Sequence, residues 1–207
     1  GFEKIKITSK TVFEKNHIAK IRKIIGYMSG TEITNEDQNK IVIRVLLDKR
    51  KVDIRQVLYR IGLIIKSSLN TLGDDVDMQI LQQNESEIDR LYHLVVKMTT
   101  MALTKNEILK SSNIDNIAHI PSLFTIGKKL ERIGDKINHL AKELKLLETK
   151  PDLMDEMFSI FKEELQKSLK FLMQKDKKIF DRMDRNKQET YESKIREMEI
   201  ENIRKSF

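Results

Sequence analysis

The chain is 207 residues long, with 39% hydrophobic and 34% charged residues, two prolines and seven glycines, a balance that favours long amphipathic helices over an all-β protein rich in turns. It contains no cysteine, which excludes disulfides and thiolate metal sites. It also shows neither an apolar run of roughly 18 residues nor a signal peptide, so a cytoplasmic setting is expected. The formal net charge of +7 favours anionic partners, although Lys and Glu are interspersed as on an ordinary solvated helical surface.

The first fifty residues differ in pattern from the rest of the chain. Their apolar spacing and turn residues predict a strand (2–8), a helix (12–28) that stops near Gly30, and two strands (31–33 and 40–46) joined by a polar loop (35–39). Such an element is too small to bury a core by itself. We therefore expect residues 1–50 to form a small α/β element that packs on the helices that follow.

Residues 51–149 are expected to form a three-helix bundle. Apolar or small residues at helical spacing mark the face that each of three helices packs against the others, which we call its seam. The seam of the first helix is Ile54, Leu58, Ile61, Ile65, Ser68 and Leu72, that of the second is Leu81, Ile88, Leu91, Val95, Met98 and Ala102, and that of the third is Leu123, Ile126, Leu130, Ile133, Ile137, Leu140, Leu144 and Leu147. Gly73 ends the first helix, and Asn84 interrupts the second seam, where burial would require a hydrogen-bond partner. A loop is predicted at 105–113, with Pro121 in the first turns of the third helix.

Residues 150–207 supply only part of a second bundle. A helix is marked by Met154, Phe158, Phe161, Leu165, Ser168 and Leu172. The segment from Asp176 to Phe207 is highly charged and has a weaker apolar face, and such a helix is marginal without a partner.

The third helix of the bundle carries the sequence Leu-Glu-Arg-Ile-Gly-Asp at residues 130–135, with Glu131, Asp135 and His139 spaced four apart on the side away from the seam. This segment resembles the signature of the PhoU family of phosphate-uptake regulators. Glu-Ser-Glu-Ile-Asp-Arg-Leu-Tyr at 85–92 is similar to the acidic segment that opens the preceding helix of a PhoU repeat. The resemblance implies a mainly α fold of PhoU-like three-helix bundle repeats, the second incomplete, after the small N-terminal α/β element.

The N-terminal segments Gly30-Thr-Glu-Ile33, Lys40-Ile-Val-Ile43 and Leu46-Leu-Asp48 are similar to the archaeal branch of that family, in which a small α/β element, and often an AbrB-like DNA-binding domain, precedes the bundle. Two departures stand out. No second Glu-Arg-Ile-Gly-Asp helix follows residue 192, and the sequence starts directly at the α/β element. We therefore expect these residues to be part of a longer protein.

The acidic residues of the two motif helices are candidate metal ligands. Glu131 and Asp135 are one turn apart, and Glu85 and Asp89 repeat that spacing on the neighbouring helix. Carboxylate oxygens suit hard or borderline divalent ions, and with imidazole they suit Fe, Zn, Mn or Mg. The resemblance implies the same chemistry, because PhoU-like proteins carry Glu-x-x-x-Asp metal sites on their outer surface. The alternative is ordinary surface acids paired with lysines such as Lys128 and Lys136.

Three of the four histidines have an aspartate four residues earlier: Asp89/His93, Asp115/His119 and Asp135/His139. On a helix this spacing allows the two side chains to share a metal ion or to form a weak ion pair. For Asp135/His139 the alignment with Glu131 favours metal binding. Asp115/His119 is expected to lie outside regular helix.

Catalysis is not expected. A carboxylate-bridged di-iron enzyme needs two inward-facing Glu-x-x-His motifs, and only Glu14-Lys-Asn-His17 fits, before the bundle. No glycine-rich phosphate loop, nucleophile elbow or cysteine nucleophile is present.

The expected function is therefore regulation of phosphate uptake and homeostasis by a metal-binding adaptor, whose partner would be a phosphate transporter ATPase or a signalling protein. The alternative is a transcriptional regulator that reaches DNA through a domain absent here, with these residues as its effector or oligomerisation part. Basic clusters at Lys20, Arg22 and Lys23 and at Lys49 to Lys51 favour anionic partners, yet no recognition-helix motif is visible. Self-association as a homodimer is also plausible through the unfinished second bundle.

Overall fold

The computed structural model describes residues 3–73, 76–147 and 153–174, together with Ser193 and Arg196. Its regular elements, in chain order, are β1 (Lys4–Thr8), α1 (Lys15–Gly26), β2 (Thr31–Asp37), β3 (Lys40–Val45), α2 (Ile54–Gly73), α3 (Met78–Ala102), α4 (Asn106–Ser111), α5 (Ile120–Leu144) and α6 (Leu153–Gln174). The predicted class, mainly α with a small N-terminal α/β element, is confirmed.

The three strands form an antiparallel sheet in the order β1-β3-β2. Its central strand contributes the buried residues Ile41, Val42 and Ile43, as expected for a strand that is paired on both edges. The predicted loop at 35–39 was wrong, because β2 continues to Asp37. A register shift between Ile33 and Asn35 lets its polar second half go on pairing with β3.

Helix α1 lies beside the sheet without burying a single side chain completely, although one of its faces is apolar. It begins at Lys15, so the predicted start at Val12 was wrong, and Val12 is exposed. The connection to β2 turns at Gly30, whose φ of 66° suits glycine. The Gly30 carbonyl accepts hydrogen bonds from the backbone N–H groups of Leu46 (2.7 Å) and Leu47 (3.2 Å).

Helices α2, α3 and α5 pack against one another as the predicted bundle. All the seam residues predicted for α2 and α3 are buried. Helix α3 begins at an N-cap, Asp77, whose carboxylate accepts from the backbone N–H groups of Gln79 (2.9 Å) and Ile80 (3.1 Å). Asn84 has the partner that its position requires, because its amide donates to Ser68 Oγ at 3.0 Å.

The predicted seam of α5 is partly wrong. Leu123, Leu130, Ile137 and Leu144 are buried, but Leu147 is exposed and lies beyond the helix. Ile126, Ile133 and Leu140 are only half-buried, and the remaining buried positions of α5 are Ile120, Gly127, Gly134, Asn138 and Ala141. A Cβ added at Gly127 or Gly134 would lie 3.1 Å or 2.9 Å from a side chain of α3, so α3 packs closely on positions that a pattern of large apolar residues does not include.

The predicted loop at 105–113 contains α4, a helix too short to show periodicity. Ile108 of α4 is buried. Ser112, the first residue after α4, forms hydrogen bonds with the start of α2. Ser112 Oγ accepts from the backbone N–H of Ile54 (3.0 Å), and the Ser112 carbonyl accepts from the guanidinium of Arg55 (3.0 Å). These bonds satisfy a buried arginine and an orphan N–H of the helix start.

The chain divides into two compact units, residues 1–146 and 147–207. In the second unit, α6 agrees with the predicted helix and includes the buried residues Phe158, Leu165 and Leu169. The segment predicted from Asp176 to Phe207 lies outside the described residues apart from Ser193 and Arg196. The domain boundaries predicted from sequence, 1–50, 51–149 and 150–207, stay predictions.

Candidate metal centre

Three carboxylates converge where α3 and α5 pack together. Asp89 comes from α3, and Glu131 and Asp135 come from successive turns of α5. One oxygen from each of the three lies within 4.8 Å of the others. Asp89 and Glu131 are partly buried at the edge of the helix contact, while Asp135 is exposed. The acids of the α5 motif therefore face away from the bundle core, as the sequence predicted.

A glycine brings the two helices close at this point. A Cβ at Gly134 would lie only 2.9 Å from Ile88 Cδ1, so a larger residue would require Ile88 or the helices to shift. Because Ile88 directly precedes Asp89 and Gly134 directly precedes Asp135, this contact also sets the separation of the two carboxylates. The spacing between packed helices depends on the side chains at their contact, and here the missing side chain helps to assemble the acidic cluster.

Glu85 lies next to this cluster, one turn before Asp89. Its carboxylate accepts a hydrogen bond from Asn138 Nδ2 on α5. Asn138 is only 6% exposed, and its Oδ1 is the one fully buried side-chain polar atom of the described residues without a hydrogen-bond partner. A polar group buried without a partner is costly, so Asn138 is held beside the acids with part of its bonding capacity unused.

The electrostatics of the cluster are unfavourable without a cation. Burial, and then the charges of Asp135 and Asp89, raise the pKa of Glu131 against the opposing effects of Lys128 and Arg132. Burial and Asp135 likewise raise the pKa of Asp89, while His93 lowers it.

The same repulsion reaches Glu85, whose pKa is raised by burial and then by Asp89 and Asp135, with Lys142 and Asn138 opposing. Among the described residues, no Lys or Arg forms a salt bridge with Glu85, Asp89, Glu131 or Asp135. In particular, Lys128 and Lys136, the lysines considered as partners from the sequence, do not bridge them. The charge of the acids is thus not compensated by direct pairing.

The donor set fits a divalent cation. Three carboxylate oxygens on two rigid helices can supply half of an octahedral shell, and water can fill the remainder, which suits Mg²⁺ or Mn²⁺ and allows Fe²⁺ or Zn²⁺. A dication would offset the mutual repulsion of the acids, and it would hold α3 and α5 together at their outer edge.

Not every predicted ligand joins the converging set. His139 is exposed and is not among the three residues that converge. Each four-residue step advances about 400° around a helix, or about 40° beyond one full turn. The side chain of His139 is therefore rotated by about 80° from that of Glu131. Asn138 was not predicted from the sequence, where it is a neutral polar residue between the motif positions. Only the packing of α5 on α3 brings it to Glu85.

Of the two other Asp/His pairs, Asp89/His93 shares Asp89 with the converging acids, but His93 is not among the residues that converge. His93 is exposed on α3, one turn after Asp89. Asp115 and His119 lie in the connection between α4 and α5, outside α-helix, as expected.

The arrangement is a three-helix bundle with one acidic cluster at the edge of its α3–α5 contact, among the described residues. Residues 64–144, from α2 to the end of α5, match the family model of the PhoU domain. The match covers 81 of the 207 residues, and it supports a relation of this part of the chain to the PhoU family of phosphate-homeostasis regulators. No curated protein and no solved structure matches it.

None of the described helices combines the length and the apolar character that crossing a membrane requires.

Proposed function

We propose that this protein regulates phosphate uptake as an adaptor that binds a divalent metal ion on the surface of its PhoU domain. The single observation that supports the metal-binding role is the convergence of Asp89, Glu131 and Asp135 without a salt-bridge partner in the described part of the chain. A structural cluster of acids would be expected to recruit lysine or arginine, because uncompensated like charges destabilise a fold.

In this proposal Asp89 and the two acids of α5 hold the ion directly. Glu85 and Asn138 lie beside them, where the hydrogen bond between the two side chains orients the Glu85 carboxylate. Asp89, Glu131 and Asp135 would hold the ion at the surface of the bundle, where a bound cation would supply positive charge for a partner's carboxylate or phosphate. The residues of the chain position the ion and leave it accessible, and no bond is made or broken.

The expected partner is a phosphate transporter ATPase or a signalling protein of the phosphate response. The test is affinity capture by the full-length protein from cells grown with and without phosphate, beside measurement of phosphate uptake. The Asp89→Asn/Asp135→Asn variant should lose metal-dependent capture of the transporter subunit and the normal repression of uptake at high phosphate.

Glu143→Gln is the matched control, because Glu143 is an exposed acid of the same helix outside the cluster. It should behave as the unmodified protein does. Equal capture and equal repression by the double variant would contradict the adaptor role of the metal. The DNA-binding alternative stays a prediction, and a salt-sensitive shift of promoter DNA by the full-length protein tests it.

A further inference from the structure

A second candidate site lies between the N-terminal element and the bundle, away from the acidic cluster. A pocket of about 460 Å³ opens between the end of α1 and the middle of α3. Pockets that hold small molecules usually span about 300–1,000 Å³ and are mostly apolar with a few polar groups. This pocket meets both criteria. The site does not depend on the proposed metal-binding function.

The walls of the pocket are apolar. Ile24, Tyr27 and Met28 line it from the end of α1 and the following turn, and Leu94 lines it from α3. Leu94 is buried, but Ile24, Tyr27 and Met28 are 55%, 39% and 45% exposed. Three neighbouring large apolar side chains that remain exposed are typical of a binding surface, because each gains stability only when something covers it.

Lys97 gives the pocket its charge. It follows His93 by one turn of α3, both residues line the pocket, and no acidic residue does. Lys97 is half-buried and has no ion-pair partner among the described residues. Burial lowers the pKa of Lys97, and the nearby Lys49 lowers it further. A second cation, rather than a carboxylate, is thus the close electrostatic neighbour of this ammonium group.

We infer that this pocket binds a small apolar monoanion, such as a medium-chain carboxylate, with its hydrocarbon body against Ile24, Met28 and Leu94 and its anionic group on Lys97. A neutral apolar ligand would cover the walls but leave the ammonium group partly desolvated and unpaired. Inorganic phosphate would pair with Lys97 but leave the apolar walls uncovered. Only a ligand with both an apolar body and an anionic group covers the apolar walls and also pairs with Lys97.

The test is calorimetric titration of the full 207-residue protein with decanoate, below its micelle concentration, and with decanol as the neutral match. Decanoate should bind with 1:1 stoichiometry and about tenfold more tightly than decanol, because a hydrogen bond to a charged group contributes roughly this much. The titrations are run in EDTA, so that the result does not depend on the metal site.

Three variants assign the binding to this pocket. Lys97→Met should reduce the affinity for decanoate to that for decanol while leaving decanol binding unchanged. Ile24→Gln, at an exposed position, should weaken binding of both ligands. Lys110→Met, which removes an exposed lysine outside the pocket, should change neither. Thermal unfolding of each variant establishes that the fold is retained.

Absence of saturable decanoate binding, or equal affinities of Lys97→Met and the unmodified protein for decanoate, would overturn the inference. Capture of the protein on anionic phospholipid vesicles in competition with decanoate would also overturn it, because the apolar surface would then belong to a membrane contact rather than to a free ligand.

Discussion

The three-helix bundle and helix α1 of the N-terminal element differ in how far they bury their apolar side chains. In the bundle, residues such as Leu58, Ile61 and Ile65 are completely buried. In the N-terminal element, α1 buries none of its side chains completely, and Ile24 is 55% exposed. The bundle helices therefore contain most of the buried apolar residues described, while α1 leaves apolar surface uncovered.

The two candidate sites follow from this difference. The acidic cluster lies on the rigid bundle, where two packed helices fix the separation of the carboxylates. The apolar pocket lies at the junction with the element that is less completely buried. Metal binding needs fixed geometry, whereas an apolar ligand needs surface that the protein itself leaves uncovered. Substitutions in the bundle and in the N-terminal element test whether the two regions differ in this way.

The largest expected effect is the loss of a buried bundle side chain. Ile65→Ala should lower the free energy of unfolding by about 2–5 kcal/mol, because Ile65 is completely buried between packed helices. The matched change Ile24→Ala in α1 should cost less than about 1 kcal/mol. Urea denaturation followed by circular dichroism measures both. Equal losses would mean that the two regions contribute alike to stability.

A similar contrast is expected between two glycines of the N-terminal element. Gly30→Ala should destabilise by about 2 kcal/mol or more, because φ is positive there and the new Cβ would clash with Leu47 Cβ. Gly26→Ala has nothing within 4 Å of the new Cβ and should change stability by no more than about 1 kcal/mol. Thermal unfolding compares the pair, and a neutral Gly30→Ala variant would refute the importance of this turn.

The contact at Gly134 can be tested through metal affinity. Gly134→Val should push α3 and α5 apart at Ile88 and thereby separate Asp89 from the acids of α5. We expect Mn²⁺ affinity to fall by about tenfold, although no ligand is changed. Gly134→Ala should have a smaller effect, since the clashing Ile88 Cδ1 is the far end of a flexible side chain. Unchanged affinity in the valine variant would show that helix spacing does not set the site.

The smallest expected effect is on pH dependence. Because folding raises the pKa values of Glu85, Asp89 and Glu131, protonation of these groups stabilises the metal-free protein. This contribution is fully present below their ordinary values of 4.5 and 3.8 and is lost as pH rises through the raised values. Metal affinity should rise over the same interval, because the ligands must be deprotonated.

Urea denaturation at a series of mildly acidic pH values, in EDTA and in saturating Mn²⁺, measures this dependence. In EDTA the Asp89→Asn/Glu131→Gln variant should lose less stability than the unmodified protein as the pH rises. Identical pH profiles of the two proteins in EDTA would contradict the assigned repulsion.

The helices of the bundle could be predicted from the sequence because their large aliphatic residues recur at helical spacing. Every predicted seam residue of α2 and α3 is buried, and the surface position of Glu131 and Asp135 followed from the same periodicity. The seam of α5 was misplaced in part because Gly127 and Gly134 lie in its contact with α3, and a pattern of large apolar residues does not include glycine.

The composition of the site was only partly predictable. Spacing along each helix placed Glu85 and Asp89 on one side of α3, but it does not determine how far α3 is rotated towards α5. That rotation brings Asp89 into the converging set and leaves Glu85 beside Asn138. The apolar pocket could not be predicted, because Ile24 and Lys97 are far apart in sequence and meet only through tertiary packing.

Metal content tests the central claim most directly. The unmodified protein, the Glu131→Gln/Asp135→Asn variant and the Glu143→Gln control are equilibrated with Mn²⁺, gel-filtered and analysed by mass spectrometry for bound metal. The proposed site requires about one ion retained by the unmodified protein and the control and none by the double variant, since two of its three oxygen ligands are removed. Equal metal content in all three proteins would contradict the assignment of these acids as metal ligands.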